Sequence, residues 1–246
     1  MINFCVTWKD ESVSTNTELK EAAKGGAPLW SVLAAKRQSG GRGRMERSFS
    51  SLEGGLYASV IFPCGSPEAA GRLTTFAAVA VARGIERLCN ASVKIKWVND
   101  LLVNDKKICG VLAEGVAREH GFCAVVGFGV NICNNLPSEL ESVASTLLRE
   151  CGALFSPEEL LSAILEEIKC FENADFEEIM KEYRSRSAVV GRKITVINHS
   201  DGNYEAEALR IEDDGALIVK RLGDNAEVRL FSGEVSTKIS ENADEK

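Results

Sequence analysis

A short hairpin in the middle of the chain constrains the fold more than any other sequence feature. Two apolar runs, Leu101 to Val103 and Ile108 to Leu112, flank Asn104-Asp105, a pair that favours the tight turn of a β-hairpin. Strands joined by a tight turn run antiparallel, which a repeating βαβ chain does not allow. Because helical segments lie on both sides of the hairpin, the sequence predicts an α+β fold with a mixed or largely antiparallel sheet.

Helices are indicated by capping residues followed by apolar residues at helical spacing. Ser66-Pro67-Glu68 precedes one such segment that extends to Leu88, and Ser156-Pro157-Glu158-Glu159 forms a capping box before another. A third, shorter helix is predicted to begin near Thr15 or Asn16. Four further apolar runs have the length and composition of strands: Ser31 to Lys36, Leu56 to Phe62, Val93 to Val98 and Cys123 to Ile132.

The sequence pattern changes after about residue 188. Five strand-like runs then alternate with turn sequences at roughly ten-residue spacing: KITVIN, YEAEALRI, ALIVKRL, AEVRLF and VSTKI. This spacing is typical of a small antiparallel barrel or sandwich. We therefore expect two domains, residues 1–188 and residues 189–246.

The composition argues against several functional classes. The 246 residues include 29 Lys and Arg against 36 Asp and Glu, a net charge of −7, which disfavours a general nucleic-acid coat but not a local basic site. Neither a secretory pattern nor an apolar run of membrane-spanning length is present, so we expect a cytoplasmic protein.

The two histidines, His120 and His199, lie in polar, turn-like sequence, which argues against a catalytic triad or a histidine-based zinc site. The eight cysteines include no C-x-x-C pair and are interpreted as buried reduced thiols, with disulfides as the minor alternative.

The most unusual segment is rich in arginine and glycine. Residues 36–47 carry five basic side chains and one glutamate, a local charge of +4, with three glycines among them. Forked arginine donors on a backbone that can approach a ligand closely indicate an anion-binding loop, although a solvated basic loop fits the composition equally well. The glycine spacing matches neither a Rossmann fingerprint nor a P-loop, which argues against those nucleotide sites.

Three other polar segments are candidates for a site, and each also has a purely structural interpretation. Lys107, close to Asn99 and Asp100, either points into a pocket to stabilise developing negative charge or forms the solvated arm of the turn. Asp100 could hold a metal ion or orient a lysine. Ser14-Thr15-Asn16 could cap a helix, bind a small polar group, or do both. Gly127-Phe128-Gly129-Val130-Asn131 is either a strand open to close ligand approach or a strand bulge.

Taken in order, these segments resemble the motifs of the biotin protein ligases. That family carries S-T-N, Q-x-x-G-R-G-R, K-W-P-N-D, K-x-x-G and G-x-G-x-N, which correspond here to Ser14-Thr15-Asn16, Gln38 to Arg44, Lys96 to Asp100, Lys107 to Gly110 and Gly127 to Asn131. Val98 replaces the proline of the third motif, Met45-Glu46 replaces a common Arg-Gly, and Phe49 replaces a common Trp. Because the S-T-N motif begins at residue 14, the resemblance is to the short class without an N-terminal DNA-binding domain.

The resemblance implies a catalytic domain of the class II aminoacyl-tRNA synthetase-like, biotin/lipoate ligase type, followed by an SH3-like β barrel. It implies that biotin and MgATP give biotinyl-5′-AMP, from which biotin passes to one lysine of a biotin carboxyl carrier domain of a carboxylase. Neither DNA nor a membrane is an expected partner, and a homodimer is compatible with the family. Lipoate or octanoyl transfer is the nearest alternative. A nucleic-acid module is disfavoured because no aromatic residue lies between Lys36 and Arg47.

Site residues follow from the same motifs. The residues expected to be catalytic are Lys107, Arg42 and Arg44. Those expected to bind biotin are Ser14, Thr15, Asn16, Gln38, Gly41, Arg42, Gly43, Arg44, Lys107 and Gly110. Those expected to bind ATP are Arg42, Arg44, Asn99, Asp100, Lys107 and Asn131. Mg²⁺ is expected to arrive with ATP, near Asp100, rather than to occupy a site made by the protein alone.

Overall fold

The central element is a mixed sheet of seven strands, seen in a computed structural model that describes residues 2–66, 69–170, 175–197 and 202–236. The strands are β1 (Cys5–Ser12), β2 (Ser31–Gln38), β3 (Leu56–Pro63), β4 (Lys94–Lys96), β5 (Asp100–Val103), β6 (Lys106–Arg118) and β7 (Gly121–Val130). Their order is β1-β2-β3-β7-β6-β5-β4, and the pairs are antiparallel except for β1 with β2. The predicted mixed sheet is confirmed.

The hairpin that constrains the fold is present between β5 and β6. Asn104 and Asp105 have φ angles of 49° and 61°, the left-handed conformation that lets two residues reverse an antiparallel pair. A register shift between Leu101 and Leu102 then places Lys107 opposite Leu102 and Gly110 opposite Asp100. This shift matters for the site because it brings the Lys107 side chain toward Asp100.

Helices cover both faces of the seven-stranded sheet. On one face, α1 (Thr15–Lys24) packs Leu19 and Ala23 against Ile61 of β3. On the other face, Val60 and Phe62 contact the cluster formed by the remaining long helices, as the alternation of a strand requires. These helices are α2 (Ala70–Leu88), α4 (Pro157–Cys170) and α5 (Phe176–Ser185), and a short α3 (Leu147–Cys151) precedes α4. In the described ranges, no helix is long and apolar enough to cross a membrane.

Several predicted boundaries need correction. The capping box at Ser156 is confirmed, because its backbone N–H donates to Glu159 and the Glu159 N–H donates back to its hydroxyl. Helix α2 begins only at Ala70, so Ser66 is not its N-cap; the predicted Pro67 and Glu68 lie outside the described residues. The sequence reasoning missed β1, α3 and α5. The interpretation of the cysteines as buried is wrong for most of them, because only Cys109 and Cys123 are buried, although all eight are free thiols.

The C-terminal residues form a second, antiparallel sheet. Its strands are β8 (Lys193–Ile197), β9 (Tyr204–Ile211), β10 (Leu217–Arg221), β11 (Glu227–Leu230) and β12 (Glu234–Ser236), in the order β11-β10-β9-β8-β12. The number of strands agrees with the prediction, whereas the SH3-like barrel is not confirmed. Apolar side chains of this sheet, such as Ala208 and Val219, belong to the same buried cluster as those of the first sheet. The indole N–H of Trp97 donates to the Gly215 carbonyl at 2.9 Å, which ties the two sheets together beside the site.

Candidate functional site

Most of the predicted site residues meet in one cavity of about 150 Å³ above the middle of the seven-stranded sheet. It receives the start of α1, the end of β2, the arginine-rich loop, and the central strands β6 and β7. Its predicted members are Ser14, Thr15, Asn16, Gln38, Arg42, Gly43, Arg44, Asn99, Asp100, Lys107 and Gly110. Gly41 is buried behind the lining, and Asn131 lines a larger adjoining cavity of about 690 Å³.

One end of the cavity, which we call the polar end, is formed by Ser14, Thr15, Asn16 and Gln38. Ser14 is the N-cap of α1 and accepts a hydrogen bond from the Thr17 N–H at 3.4 Å. The Thr15 N–H donates to Gln38 Oε1 at 2.8 Å. Capping and participation in the site are therefore compatible roles for this segment, because the same turn that begins the helix presents its side chains to the cavity.

Two glycines of β7 leave the floor of the cavity open. A Cβ atom on Gly127 would lie 2.0 Å from Asn16 Oδ1, and one on Gly129 would lie 2.6 Å from the Phe49 ring. Both neighbours can rest against the strand only because no side chain intervenes. The register of β7 with β3 and β6 is unbroken at both positions, so the alternative of a strand bulge is wrong.

The arginine-rich loop folds back on itself and contacts the second sheet. The Gly43 N–H donates to the Arg47 carbonyl at 2.7 Å, and an isolated bridge joins Arg42 to Ser48. Arg44 donates to Asn99 Oδ1 at 3.4 Å and to the Gly233 carbonyl at 3.3 Å. Burial lowers the pKa of Arg44 against the attraction of Asp100, but a guanidinium remains charged in proteins.

Arg47 extends the contact with the second sheet through a charged pair. Its guanidinium donates to Glu234 Oε1 at 2.7 Å. Together with the bond from Arg44 to the Gly233 carbonyl, this pair connects the loop to the start of β12. The start of β12 therefore holds the loop through two adjacent residues, and neither contact could be predicted from the loop sequence alone.

Lys107 points into the cavity, and Lys106 points away from it. Lys107 Nζ lies 2.7 Å from Asp100 Oδ1 and 5.7 Å from the centre of the Phe49 ring. Lys106 Nζ instead donates to the carbonyls of Glu141 and Ser142. The structure therefore supports the interpretation in which Lys107 points into a pocket, and not the one in which it forms the solvated arm of the turn. The same contact pairs Asp100 with this lysine.

The adjoining cavity shares the Lys107–Asp100 pair and opens toward the second sheet. Asn131 is buried in its wall and accepts a hydrogen bond from Asn134 at 3.2 Å. Arg192 and Glu234 reach it from the second sheet. Within the described ranges, no group of three or more His, Cys, Asp or Glu side chains could bind a metal ion by itself.

Several residues in and around the two cavities were missed by sequence reasoning. Glu234 lies about a hundred residues beyond the last motif, and nothing in its sequence shows that it contacts Arg47. Arg192 has no motif around it. Ser59 and Glu114 stand behind the polar end and carry no sequence signal of function either.

Comparison with known proteins defines the class to which this fold and cavity belong. The model of the biotin/lipoate A/B protein ligase family matches residues 11–131, which include every segment that lines the first cavity except Gly233 to Val235. The bifunctional ligase/repressor BirA of Bacillus subtilis is 32% identical over 226 residues, covering 87% of this chain and 68% of that protein. The biotin–[acetyl-CoA-carboxylase] ligase of Paracoccus denitrificans is 30% identical, covering 84% and 90%.

A solved structure agrees with these relatives. The biotin protein ligase of Aquifex aeolicus in complex with biotin and ATP superposes with a TM-score of 0.76 at 26% identity, over 94% of this chain and 97% of that one. The chain belongs to the biotin/lipoate A/B protein ligase family, whose members are enzymes.

Proposed function

We propose that this protein is a biotin–[acetyl-CoA-carboxylase] ligase, which activates biotin as biotinyl-5′-AMP and transfers it to a lysine of a biotin carboxyl carrier protein. The observation that carries the proposal is one cavity in which a polar end adjoins the Lys107–Asp100 pair and the arginine-rich loop. Relatives named biotin–[acetyl-CoA-carboxylase] ligase support this substrate over lipoate.

The polar end suits the ring of biotin. Thr15 and Gln38 lie at hydrogen-bonding distance from each other, and Asn16 adds an amide to the same end. The ureido group of biotin has both donors and an acceptor that such groups can meet. Gly41 packs closely against Ser51 and Phe49, and Gly110 lines the cavity beside Lys107. A Cβ on Gly41 would lie 2.4 Å from Ser51 Oγ, so a larger residue would displace the loop.

Lys107, Arg42 and Arg44 serve the first chemical step. The biotin carboxylate attacks the α-phosphorus of ATP, a P–O bond forms, and pyrophosphate leaves with its bonding electrons. Two anions must meet, so fixed cations lower the barrier by neutralising charge that is shared in the transition state. Asp100 holds the Lys107 ammonium in place before the substrates arrive.

The adjoining cavity suits the nucleotide. Asn99, Asp100 and Asn131 lie along it or at its junction with the first cavity, and Glu234 lines both cavities. Mg²⁺ usually binds through one or two carboxylates together with substrate phosphates. A single carboxylate at Asp100 fits an ion that arrives with ATP, and the ion would supply further charge neutralisation.

In the second step, the ε-amine of the carrier lysine attacks the carbonyl carbon of the adenylate. A C–N bond forms, the C–O bond to AMP breaks, and the amine loses a proton. We further propose that residues 1–188 hold both substrates while residues 189–246 contribute Glu234 and Arg192 to the nucleotide side. We also propose that the protein acts in the cytoplasm without binding DNA, and a homodimer is compatible with this activity.

The test is incorporation of labelled biotin into a carrier domain with ATP and Mg²⁺. We expect transfer that requires the protein, ATP and the carrier lysine, with lipoate and octanoate as poor substitutes. Equal transfer of lipoate would reassign the substrate, and absence of any adenylate or transfer would refute the proposal.

A further inference from the structure

Two polar side chains stand behind the polar end without lining it: Ser59 on β3 and Glu114 on β6. The Ser59 side chain is fully buried, with 0% of the residue exposed. Each of the two contacts a residue that does line the cavity. They are therefore placed to act on the polar end through Thr15 and Asn16.

Glu114 settles which way the Asn16 amide points. Asn16 Nδ2 lies 2.9 Å from Glu114 Oε2 and 3.3 Å from the Leu112 carbonyl oxygen. Burial would raise the pKa of Glu114, but hydrogen bonds from Lys20 and Asn16 outweigh it and hold the pKa below its ordinary value. An ionised carboxylate and a carbonyl can only accept. The nitrogen of Asn16 must therefore face them, and Oδ1 must face Ser59.

Ser59 has one hydroxyl hydrogen and two close oxygen neighbours. Its Oγ atom lies 2.6 Å from Asn16 Oδ1 and 2.8 Å from Thr15 Oγ1. Because Asn16 Oδ1 can only accept, the hydrogen of Ser59 goes there, and Thr15 must donate its own hydrogen to Ser59. The competing acceptor for Thr15, Gln38 Oε1, is farther away at 3.2 Å and already accepts from the Thr15 N–H.

We propose that Ser59, supported by Glu114, is a positioning residue that fixes the direction of the hydrogen bonds at the polar end. With the hydrogens of Thr15 and Ser59 committed to the protein, Thr15 Oγ1 and Asn16 Oδ1 can offer a ligand only acceptor sites. The ligand class that matches two acceptors is one with ring N–H donors, such as a urea, and a ring without N–H groups is rejected. The inference rests on the proposed function, in which the ureido group of biotin supplies those donors.

The experiment compares biotin with an analogue in which a methyl group replaces one ureido N–H hydrogen. In the wild-type protein we expect much tighter binding of biotin than of the N-methyl analogue by calorimetry. In Ser59→Ala, the Thr15 hydroxyl can turn its hydrogen toward the cavity and Asn16 loses a donor. Because the substitution leaves a buried polar group without its partner, we expect the Kd for biotin to rise about tenfold to a hundredfold. The Kd for the analogue should rise less. The preference for biotin therefore shrinks.

This ratio separates positioning from a general loss of structure. A destabilised fold lowers the active fraction for both ligands and leaves the preference unchanged. Thr75→Val is the matched control, because it removes a buried hydroxyl that donates to the Arg72 carbonyl in α2, away from the cavity. It should keep the wild-type preference.

Glu114 offers a second, independent test. Glu114→Leu removes the acceptor of the Asn16 amide, whereas Lys24→Met removes only an exposed cation of α1 that pairs with Glu21, 2.7 Å away. We expect loss of preference in the first variant and nearly wild-type preference in the second. If Ser59→Ala and Glu114→Leu both kept the full wild-type preference for biotin over the N-methyl analogue, the inference would be refuted and the proposed function would stand. If the wild-type protein bound no biotin, both the inference and the proposed function would be refuted.

Discussion

Replacing Lys107 with alanine separates the chemistry of the site from its stability. The Lys107–Asp100 pair has a distance of 2.7 Å, and the two side chains are 32% and 23% exposed. A pair this accessible contributes about 0.2–1 kcal/mol to folding. A positioned charge beside a forming oxyanion contributes about 2.7–4 kcal/mol to catalysis, or about 10²–10³ in rate. The loss of activity should therefore far exceed the loss of stability.

The assay is pyrophosphate release with biotin and ATP and without a carrier, which isolates the first step. Thermal unfolding of the same samples measures the stability effect. Lys106 is not a neutral control, because its ammonium donates to the carbonyls of Glu141 and Ser142. Lys94 is better: it is exposed on β4 and lines neither cavity. Retention of more than about one tenth of the rate in Lys107→Ala, or an equal loss in Lys94→Ala, would refute the proposed role.

Three further predictions concern the floor and the loop. Gly127→Ala places a methyl group 2.0 Å from Asn16 Oδ1. Overpacking of this kind costs about 1–3 kcal/mol, so the KM for biotin should rise by about tenfold while the KM for ATP stays the same. An unchanged KM for biotin would contradict this. Arg47→Glu should slow adenylate formation by repelling Glu234, and the exchanged pair Arg47→Glu with Glu234→Arg should recover part of the rate; no recovery would mean that the ion pair is incidental. The segment from residue 40 to residue 47 should exchange its amide hydrogens more slowly with biotin and ATP, because bound anions relieve repulsion among its cations, and equal protection in both states would count against this.

Features encoded by local sequence were predicted well. The hairpin at Asn104-Asp105 and the capping box at Ser156 depend on neighbouring residues, and both are present. By contrast, β1 was missed because CVTWKDES is polar and mostly exposed, as an edge strand can be, and so lacks the apolar alternation of a half-buried strand. Helix α5 was missed because it is short and polar apart from three buried side chains, Ile179, Met180 and Tyr183.

For the site, the contacts between residues far apart in sequence could not be predicted from the sequence. The motifs identified the residues that line the cavity, because each motif is a short run. They did not identify Ser59, which contacts Thr15 and Asn16 of α1 from strand β3, or Glu234, which reaches Arg47 from another sheet. Such residues become visible only when the sheet register and the packing of the second sheet are known.

The charges around the first cavity explain how an acidic protein can bring two anions together. Five basic side chains and two acidic ones line it, so 5 − 2 leaves +3 against a net charge of −7 for the whole chain: Arg42, Arg44, Arg47, Lys96 and Lys107 with Asp100 and Glu234. Each acid is paired with one cation, and the pairing fixes that cation in position without cancelling the excess. Fixed cations in a recessed site attract anions into it. Because they are already in place, they need little reorganisation when charge shifts during the reaction. Asp100→Asn should for this reason leave the affinity for anions intact, or raise it, yet slow adenylate formation, since the Lys107 charge remains but its position is no longer fixed.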